Sequence, residues 1–467
     1  MTPTIKFGTD GWRGVIADDF TFANVAKVAL ATARYFKNHK KIKNGLVIGY
    51  DARFMSKEFA HKTAQVIASA GVKVKLADKI SSTPMTSLGI VKMNAAGGVV
   101  ITASHNPAQY NGFKIKGDFG GPAHPEMVAI VEKMLAPILK TKDLPLKVNQ
   151  FDDLVDKKLI EFVDLTSMYV NDIKTKIEFD LIKATHIKIM YDAMYGAGQG
   201  VPEMLVPKIG TIRNLFNPSF AGGHPEPLAQ NLEELSLEVK EGNYDIGIAT
   251  DGDADRVGAV DENGEFVDSH RIFAILLKYL VERKHFTGEV AKSLSVSEII
   301  PKMCNKFGLI LHETPVGFKY LCRLMTERDI IIAGEESGGL GVKGHLPERD
   351  GIFVGFLLAE IMAVRRKKLS QLVQELFDEF GEYHFARIDS HVTEAEKKKI
   401  VSFYAKHPKK IGPFTVERVD TTDGFKFFVD NGWILIRASG TEPLIRFYAE
   451  ASSPARVAAM LKAATKI

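Results

Sequence analysis

The chain has 467 residues, of which 45% are hydrophobic and 25% charged, and a globular protein of this length is expected to contain three or four domains. Its 61 basic and 57 acidic residues leave a formal charge of +4, too small to indicate binding to nucleic acid or to a membrane surface. Cys304 and Cys322 are its two cysteines and form no CxxC pair, so the sequence favours a reducing, cytoplasmic location over a disulfide framework.

Two stretches bear on targeting. The start, MTPTIKFGTDGWRG, has no basic segment followed by an apolar core, so we do not expect it to act as a signal peptide. The apolar stretch 351–364 is shorter than a membrane span and contains Glu360, which favours a buried helix over a membrane helix. No membrane partner is therefore expected.

The first hundred residues alternate helix-length amphipathic stretches with short runs rich in β-branched residues. Helices are predicted at 21–38, 57–71 and 86–94, and strands at 45–51, 72–78 and 97–104. This alternation is typical of a mainly parallel α/β sheet, in which ligands bind at the carboxyl ends of the strands. The polar loop TASHNP, residues 102–107, falls at such a strand end.

Two later segments have the same form. Residues 244–256 and 328–339 each run from a short apolar strand into a polar loop, as residues 97–107 do. We therefore expect three related α/β domains with mixed, mostly parallel sheets, whose strand ends face a central active-site cleft.

The last hundred residues differ from the rest. Residues 425–453 contain two β-rich runs around an Asp-Asn-Gly turn, which predicts a hairpin in an antiparallel sheet, and a final helix follows. This pattern indicates a C-terminal α+β domain. Polar and basic stretches place the four predicted domains at 1–150, 151–262, 263–372 and 373–467.

The loop DGDADR brings three carboxylates together, because Asp251, Asp253 and Asp255 occupy alternate positions. Carboxylate oxygens are hard ligands, so the ion they favour is Mg²⁺ or Ca²⁺, with Mn²⁺ as a further candidate. An EF-hand loop is disfavoured, since Arg256 stands where its turn requires glycine and a strand precedes the loop. A solvated acidic turn is the alternative.

The serine loop raises the question of a catalytic base. Neighbouring residues at a strand end point in different directions, so His105 is poorly placed to take the proton from Ser104. A second polar loop, RASGTEPLIR, offers what a phosphate needs: arginine forks, hydroxyls and a glycine-containing turn. Its candidate phosphate ligands are Arg437, Ser439, Gly440, Thr441 and Arg446, with a charged hairpin end as the alternative.

The remaining signals are weaker taken singly. GEESGG offers Glu335, Glu336 and Ser337 as hydrogen-bonding groups for vicinal hydroxyls, and ETPVGFKY adds Thr314 and Lys319. Two cations, Arg13 in a glycine-rich turn and Lys114 after the serine loop, could equally be surface charges. Together, a serine, a three-carboxylate metal site, a phosphate cradle and a polyol-binding loop point to transfer of a phosphoryl group on a sugar.

In this order along the chain, TASHNP with NGFK, DGDADR, GEESGG and RASGTEP resemble the four signature loops of the α-D-phosphohexomutase superfamily. The resemblance covers the whole chain, and its loops are most similar to those of bacterial-type phosphoglucomutases. It implies a four-domain fold and a resting enzyme that carries a phosphoryl group on Ser104.

The resemblance also implies roles for individual residues. One Mg²⁺ ion would be held by the three aspartates and a phosphoserine oxygen, and Glu335 and Ser337 would bind sugar hydroxyls. The RASGT loop would hold the phosphate that is not reacting. Arg13, His105, Lys114 and Arg256 would lie around the phosphoserine, with Lys114 as the candidate for moving the substrate's proton.

The implied reaction interconverts glucose 1-phosphate and glucose 6-phosphate, with glucose 1,6-bisphosphate as intermediate and activator. The Glu-Glu-Ser loop and the TPVGFK segment favour a phosphoglucomutase. YNGFK is more typical of dual-specificity phosphomannomutase/phosphoglucomutases, which rank second, ahead of phosphoglucosamine mutases. A serine phosphatase and a non-catalytic sugar-phosphate binder are the rival classes, and the protein is expected to be a monomer or homodimer.

Overall fold

In the computed structural model, which describes residues 5–8, 10–439 and 444–466, the described chain forms four sheets in succession. The first three are mixed sheets flanked by helices, and the fourth is antiparallel throughout. The predicted fold class is therefore confirmed: three α/β units are followed by a C-terminal α+β unit.

The first sheet has the strand order β1-β5-β4-β2-β3-β6. Strands β4, β2, β3 and β6 are parallel, β5 is antiparallel to β4, and the edge strand β1 is antiparallel to β5. Its strands are β1 (Trp12–Val15), β2 (Leu46–Tyr50), β3 (Val74–Ala77), β4 (Gly97–Ile101), β5 (Tyr110–Lys116) and β6 (Ile160–Val163). Its helices are α1 (Phe22–Phe36), α2 (Ser56–Ser69), α3 (Thr83–Lys92), α4 (Pro125–Leu139), α5 (Phe151–Asp156) and α6 (Leu165–Ile173).

The second sheet has the order β11-β10-β9-β7-β8, with β9, β7 and β8 parallel. Its strands are β7 (Ile189–Asp192), β8 (Gly210–Ile212), β9 (Ile246–Thr250), β10 (Val257–Asp261) and β11 (Phe266–Val267). The helices of this segment are α7 (Phe179–Ala184), α8 (Val201–Leu205) and α9 (Glu233–Glu241).

The third sheet has the order β13-β12-β14-β15, and β15 is its antiparallel strand. Its strands are β12 (Glu289–Ser293), β13 (Ile310–Thr314), β14 (Ile330–Gly334) and β15 (Leu340–Val342). The helices are α10 (Ser269–Glu282), α11 (Ile299–Phe307), α12 (Phe318–Glu327), α13 (Gly351–Arg365) and α14 (Leu369–Phe380).

The three mixed sheets share a feature that positions the site. In each, a polar loop leaves a parallel strand and the chain returns as its antiparallel neighbour, in the pairs β4–β5, β9–β10 and β14–β15. Strands β4, β9 and β14 are buried along their whole length, because helices cover both faces of a parallel sheet. The loops predicted to carry chemistry thus begin at the carboxyl ends of three equivalent strands.

The fourth sheet has the order β16-β21-β20-β19-β18-β17. The predicted hairpin is present as β19 and β20, with Asn431 of its turn at φ +53°. The strands are β16 (His384–His391), β17 (Lys410–Ile411), β18 (Phe414–Asp420), β19 (Phe425–Val429), β20 (Gly432–Ala438) and β21 (Leu444–Ala451), and the helices are α15 (Glu394–Tyr404) and α16 (Pro454–Ala464).

Elements pair or pack across all three predicted domain boundaries. Strand β6 pairs with β3 beyond residue 150, and β11 pairs with β10 beyond residue 262. The boundary at 372 lies inside α14, which packs against α10 and α11 of the third unit. The polar stretches at these positions are followed by further elements that pack in the same unit, namely α5, β6 and α6 after the first, β11 after the second and α14 after the third.

Helix α13 is the apolar stretch expected to be a buried helix, and it is buried from Gly351 to Ala363. Its Glu360 carboxylate is satisfied inside the protein by the Tyr279 hydroxyl at 2.7 Å and by Lys284 at 2.8 Å. In the described part of the chain, no helix combines the length and the hydropathy needed to cross a membrane.

Candidate active site

Ser104 lies at the carboxyl end of β4 and is buried. Its φ of +52° is in the left-handed region, which few non-glycine residues adopt, and its N–H donates to the Thr102 hydroxyl at 2.9 Å. The Ser104 hydroxyl donates to Asp251 Oδ2 at 2.7 Å, whereas His105 Nδ1 is 3.4 Å away. The closer partner of the serine therefore comes from the second sheet, not from its sequence neighbour.

The backbone of the serine loop is held by Arg53, which the sequence analysis did not single out. Arg53 is buried and pairs with Asp51 at 3.2 Å. Its guanidinium donates to the carbonyl oxygens of Ser104 (2.5 Å), Asn106 (2.6 Å), Pro107 (2.9 Å) and Tyr110 (3.1 Å). The signal for this residue was available, because the polar segment YDAR leaves the carboxyl end of β2, the strand beside β4.

The metal loop brings its three aspartates together. Asp251, Asp253 and Asp255 are fully buried, and each offers a carboxylate oxygen within 4.8 Å of the others'. Asp251 Oδ1 accepts the backbone N–H groups of Asp255 (3.0 Å) and Arg256 (3.1 Å), which shapes the loop and leaves Oδ2 to face Ser104. A solvated acidic turn, the alternative left open by the sequence, is excluded by this burial.

The other two carboxylates are oriented from outside the cluster. Asp253 Oδ2 accepts from the Thr83 hydroxyl at 2.5 Å and from Lys114 at 2.8 Å, and Asp255 Oδ2 pairs with Arg349 at 2.6 Å. The Oδ1 atoms of both aspartates are buried and have no hydrogen-bond partner in the described chain. Buried acceptors left without a partner are unfavourable, so these oxygens fit the coordination of a cation.

The charges of this cluster agree with a divalent ion. The three aspartates and nearby Asp10 would carry four negative charges when ionised, and Lys114 and Arg349, which contact them, balance two. All of the donor atoms offered are carboxylate oxygens, the ligands that Mg²⁺ prefers. The residues therefore fit the Mg²⁺ ion implied by the sequence.

Burial and charge shift the ionisation of these groups. Burial, aided by Asp253 and Asp255, raises the pKa of Asp251 well above its usual value. Burial opposes ionisation of Asp253 as well, but the Lys114 ammonium outweighs it and lowers the pKa of that carboxyl. The pKa of Lys114 is raised, because the surrounding carboxylates overcome the effect of burial, so Lys114 is held as an ammonium.

Three further side chains, Arg13, His105 and Arg256, were predicted to lie around Ser104. Arg13 donates to the Asn106 side chain, and Arg256 pairs with Glu226 at 3.0 Å. The pKa of His105 is held well below its usual value by burial and by the neighbouring guanidinium groups of Arg256 and Arg13. His105 is therefore a neutral imidazole at neutral pH.

The two glutamates of the sugar loop have different surroundings. Glu336 accepts from Ser295 at 2.5 Å, whereas Glu335 is buried and lies 3.5 Å from Arg349. Burial is the main cause that raises the pKa of Glu335 to about 7, against the lowering effect of Arg349. Glu335 is thus the carboxylate of this loop that lies near Arg349, and Ser337 in the same loop is half-buried.

The TPVGFK segment contributes two predicted residues, Thr314 and Lys319. Thr314 is buried at the end of β13, and its hydroxyl donates to the Pro315 carbonyl at 3.0 Å. Lys319 is half-buried in α12 and lines a cavity of about 120 Å³ together with Asp10.

The fourth sheet contributes arginines. Arg437 and Arg446 are cross-strand partners in β20 and β21, paired with Asp423 (2.8 Å) and Asp389 (3.5 Å) respectively. Arg387, which the sequence analysis missed, lies on β16 and pairs with Asp389 at 2.9 Å.

The rest of the predicted phosphate loop is partly described. Ser439 is buried, donates its N–H to the Leu444 carbonyl at 2.9 Å, and accepts from Lys397 at 2.7 Å through its own carbonyl. Gly440 and Thr441, also predicted in this loop, lie outside the described residues.

Four family models match the chain in order. They are phosphoglucomutase/phosphomannomutase alpha/beta/alpha domain I at residues 4–141, domain II at 167–264, domain III at 268–380 and the C-terminal domain at 389–467. Together with the serine loop and the aspartate site, these matches define the class of protein.

Relatives are similar over nearly the whole length. A phosphoglucomutase/phosphomannomutase from Thermococcus kodakarensis is 31% identical, over 99% of this chain and 98% of its own. A phosphoglucosamine/phosphogalactosamine mutase from Sulfurisphaera tokodaii is 29% identical, over 95% of each chain. A solved Thermus thermophilus structure of phosphomannomutase type has a TM-score of 0.87 at 32% identity, over 100% of this chain and 99% of that one. The chain belongs to the phosphoglucomutase/phosphomannomutase family and is a phosphohexomutase.

Proposed function

We propose that this phosphohexomutase interconverts glucose 1-phosphate and glucose 6-phosphate through a phosphoserine at Ser104 and a glucose 1,6-bisphosphate intermediate. The observation that carries the proposal is the 2.7 Å hydrogen bond from the Ser104 hydroxyl to Asp251, which lies among the three buried carboxylates. A phosphoryl group on that serine oxygen would therefore lie beside the site that fits Mg²⁺.

The reaction consists of two transfers. In the first, the phosphoryl group on Ser104 passes to the free hydroxyl of a hexose monophosphate. After the bisphosphate has turned around in the cleft, its other phosphoryl group returns to the Ser104 oxygen. Mg²⁺ held by the three aspartates would neutralise charge on the transferring group, as in other phosphoryl transfers.

The chain's own residues position the reactants. Arg53 fixes the backbone of the serine loop, and Arg13, His105 and Arg256 offer hydrogen-bond donors around the serine. We assign Lys114 an electrostatic role, because the carboxylates around it keep it protonated and a protonated amine is not a general base.

The distal phosphate is assigned to the fourth sheet. Arg437 and Arg446 lie side by side across two strands, and Arg387 is linked to Arg446 through Asp389. Arginine forks bind phosphate bidentately, so this group suits the phosphate that is not reacting, together with Ser439, Gly440 and Thr441. Glu335 and Ser337, with Thr314 and Lys319 nearby, would receive the sugar.

The hexose is the least constrained part of the proposal. Glu335 and Ser337 would contact hydroxyls that glucose and mannose share, so they do not read the epimer at C2. The resemblance of GEESGG and TPVGFK to phosphoglucomutase loops places glucose first. A dual phosphomannomutase/phosphoglucomutase ranks second, and a phosphoglucosamine mutase third. Both stay as alternatives, because relatives of similar identity carry these names.

The test is a comparison of kcat/KM for glucose, mannose and glucosamine 1-phosphates, each with its 1,6-bisphosphate as activator. We expect the highest value for glucose 1-phosphate. A value for mannose 1-phosphate within about tenfold of it would favour dual specificity, because a ratio of that size corresponds to about 1.4 kcal/mol of discrimination. A higher value for glucosamine 1-phosphate would overturn the proposed substrate.

The covalent step has its own test. Intact-mass spectrometry of the purified protein is expected to show one added phosphoryl group that is absent from the Ser104→Ala variant. Release of inorganic phosphate from glucose 1-phosphate faster than formation of glucose 6-phosphate would identify a phosphatase instead. Unphosphorylated protein that binds hexose phosphate without turnover would identify a binding protein.

A further inference from the structure

Arg349 is a buried arginine that connects loops of three domains and that none of the sequence motifs contains. It lies between β15 and α13 and is 4% exposed. Its Nη2 is 2.5 Å from Asp10 Oδ2, in the N-terminal turn, and 2.6 Å from Asp255 Oδ2, in the metal loop. Its Nη1 is 3.5 Å from Glu335 Oε2, in the sugar loop of its own domain.

The path of this side chain depends on Gly339. A Cβ atom at that position would lie 2.3 Å from Arg349 Cδ and 2.9 Å from its Cγ, closer than non-bonded atoms approach. The φ of Gly339 is not in the left-handed region, so an alanine there would be opposed by Arg349 and not by its own backbone. Glycine at the end of GEESGG therefore leaves room for the arginine.

These contacts give Glu335 a fixed partner. A glutamate side chain loses rotamer freedom when it is ordered, so a carboxylate that must meet a substrate benefits from an anchor. The anchor is itself fixed, because Asp10 and Asp255 hold the same guanidinium. Arg349 is thus the side chain that ties the Glu335 carboxylate to the metal loop, beside the backbone hydrogen bond from the Val257 N–H to the Gly338 carbonyl at 3.1 Å.

We propose that Arg349 is a positioning residue for sugar recognition, which orients the Glu335 carboxylate toward the substrate's hydroxyls by tying it to the metal loop and the N-terminal turn. The inference rests on the proposed function and deepens it. Glu335 and Arg349 together would discriminate between hydroxyls on the hexose ring. Glycine is required at position 339 because a side chain there would displace Arg349.

The experiment pairs variants with substrate analogues. Steady-state kcat/KM is measured for glucose 1-phosphate and its 2-, 3- and 4-deoxy analogues, with glucose 1,6-bisphosphate present. The variants are Arg349→Met, Arg349→Lys, Glu335→Gln, the Arg349→Met/Glu335→Gln double variant and Gly339→Ala. The matched control is Arg328→Met, an exposed arginine of the same domain that contacts Glu289. Thermal melting checks that each variant is folded.

The wild type is expected to prefer the parent sugar over its 3- or 4-deoxy analogue by about 10- to 100-fold, the range of one hydrogen bond to a charged group. In Arg349→Met that preference should fall below about threefold, while the ratio for the 2-deoxy analogue stays constant. Gly339→Ala, which keeps every charge, should behave in the same way, and Arg349→Lys should recover part of the preference. The double variant should discriminate no worse than Glu335→Gln alone.

The possible results distinguish a failure of this inference from a failure of the proposed function. An active wild type whose preference survives in folded Arg349→Met and Gly339→Ala would overturn the inference alone, as would additive losses in the double variant. A wild type that isomerises no hexose 1-phosphate would overturn the proposed function and the inference together.

Discussion

Glu335 shows how one buried side chain can set the pH range of the reaction. Burial raises the pKa of this carboxyl to about 7, against the effect of Arg349, its nearest cation. Below that pH the group is protonated and offers fewer acceptor sites to sugar hydroxyls. In the proposed sugar site, the ionisation of Glu335 would therefore bear on substrate binding.

We predict that kcat/KM falls as the pH is lowered through about 7 in the wild type, because that parameter reports ionisations of the free enzyme. Glu335→Gln should lose this part of the profile and keep the part that comes from the substrate's own phosphate. If the pH–rate profiles of the wild type and Glu335→Gln coincide on the acid side, the assignment of this ionisation to Glu335 is contradicted. The measurement is a pH–rate profile from pH 5 to 9 at constant ionic strength.

Arg53 binds the backbone at Ser104 and at three residues that follow it. Its four hydrogen bonds to backbone carbonyls hold a loop that places Ser104 at positive φ. It also neutralises Asp51, whose pKa is raised by burial. Catalysis and stability are thus expected to depend on the same side chain for different reasons.

We predict that Arg53→Met lowers kcat by about 10²-fold, the effect of a small misplacement of a reacting group. It should also lower the free energy of unfolding by about 3–5 kcal/mol, because the Asp51 carboxylate is left buried without its partner. Adding Asp51→Asn should restore much of the stability but not the rate. Urea denaturation and steady-state kinetics measure the two effects, and a rate that recovers with stability would contradict the positioning role.

At the scale of elements, the close approach of two strand-end loops depends on a glycine. A Cβ atom on Gly252, in the metal loop, would lie 2.3 Å from the Ser104 carbonyl oxygen. The serine and metal loops leave different sheets, so their separation is set by contacts between loops, such as the Thr83 N–H to the Asp253 carbonyl at 3.0 Å, and by the absence of a side chain here.

We predict that Gly252→Ala lowers kcat by about 10²-fold by pushing the serine away from the aspartates. Mn²⁺ binding, followed by electron paramagnetic resonance, should change much less, since the three carboxylates stay on one loop. The matched control is Gly223→Ala in the same domain, where the nearest atom to a Cβ is 3.3 Å away. Equal loss of turnover in both variants would mean that the effect is not specific to the loop contact.

Elements also show where sequence reasoning was sufficient. Strand β9 and the DGDADR loop were predicted from a short apolar run and three alternate aspartates, and the structure places all three carboxylates in one cluster. Strands β6 and β11 lie beyond the predicted boundaries at 150 and 262. The Asn263-Gly264 turn that joins β10 to β11 is a local hairpin signal, whereas pairing of β6 with β3 joins distant segments and leaves no local mark. Arg349 was missed for the same reason, since its partners come from three distant loops.

At the scale of the whole molecule, the first three domains share a continuous hydrophobic core, whereas the fourth has its own. The fourth domain contacts the third through a cluster around Leu294, Trp433, Leu435 and Tyr448. Lys426 is fully buried in this interface, with Glu298 at 2.8 Å. The arginines proposed to bind the distal phosphate are therefore carried by a unit with its own core.

We predict that Lys426→Met lowers the free energy of unfolding by about 2 kcal/mol, below the usual range for a broken buried pair because Glu298 is partly exposed and keeps Lys292 at 3.4 Å. Urea denaturation followed by Trp433 fluorescence would report this interface. Lys399→Met, on an exposed face of α15, is the control and should be neutral. Equal stability of the two variants would show that the buried ammonium contributes nothing to this contact.

The sequence by itself determined the fold class, the order of the loops and the identity of the aspartate site. These features are encoded in short segments, where periodicity, turn residues and alternate carboxylates act over a few neighbouring positions. The contacts of Asp251 with Ser104, of the carboxylates with Lys114, of Arg53 with the serine loop and of Arg349 with Asp255 appear only in the folded protein. The reason is physical: strand ends from separate sheets meet only after packing, and burial, which sets charge states, is a property of the assembled core.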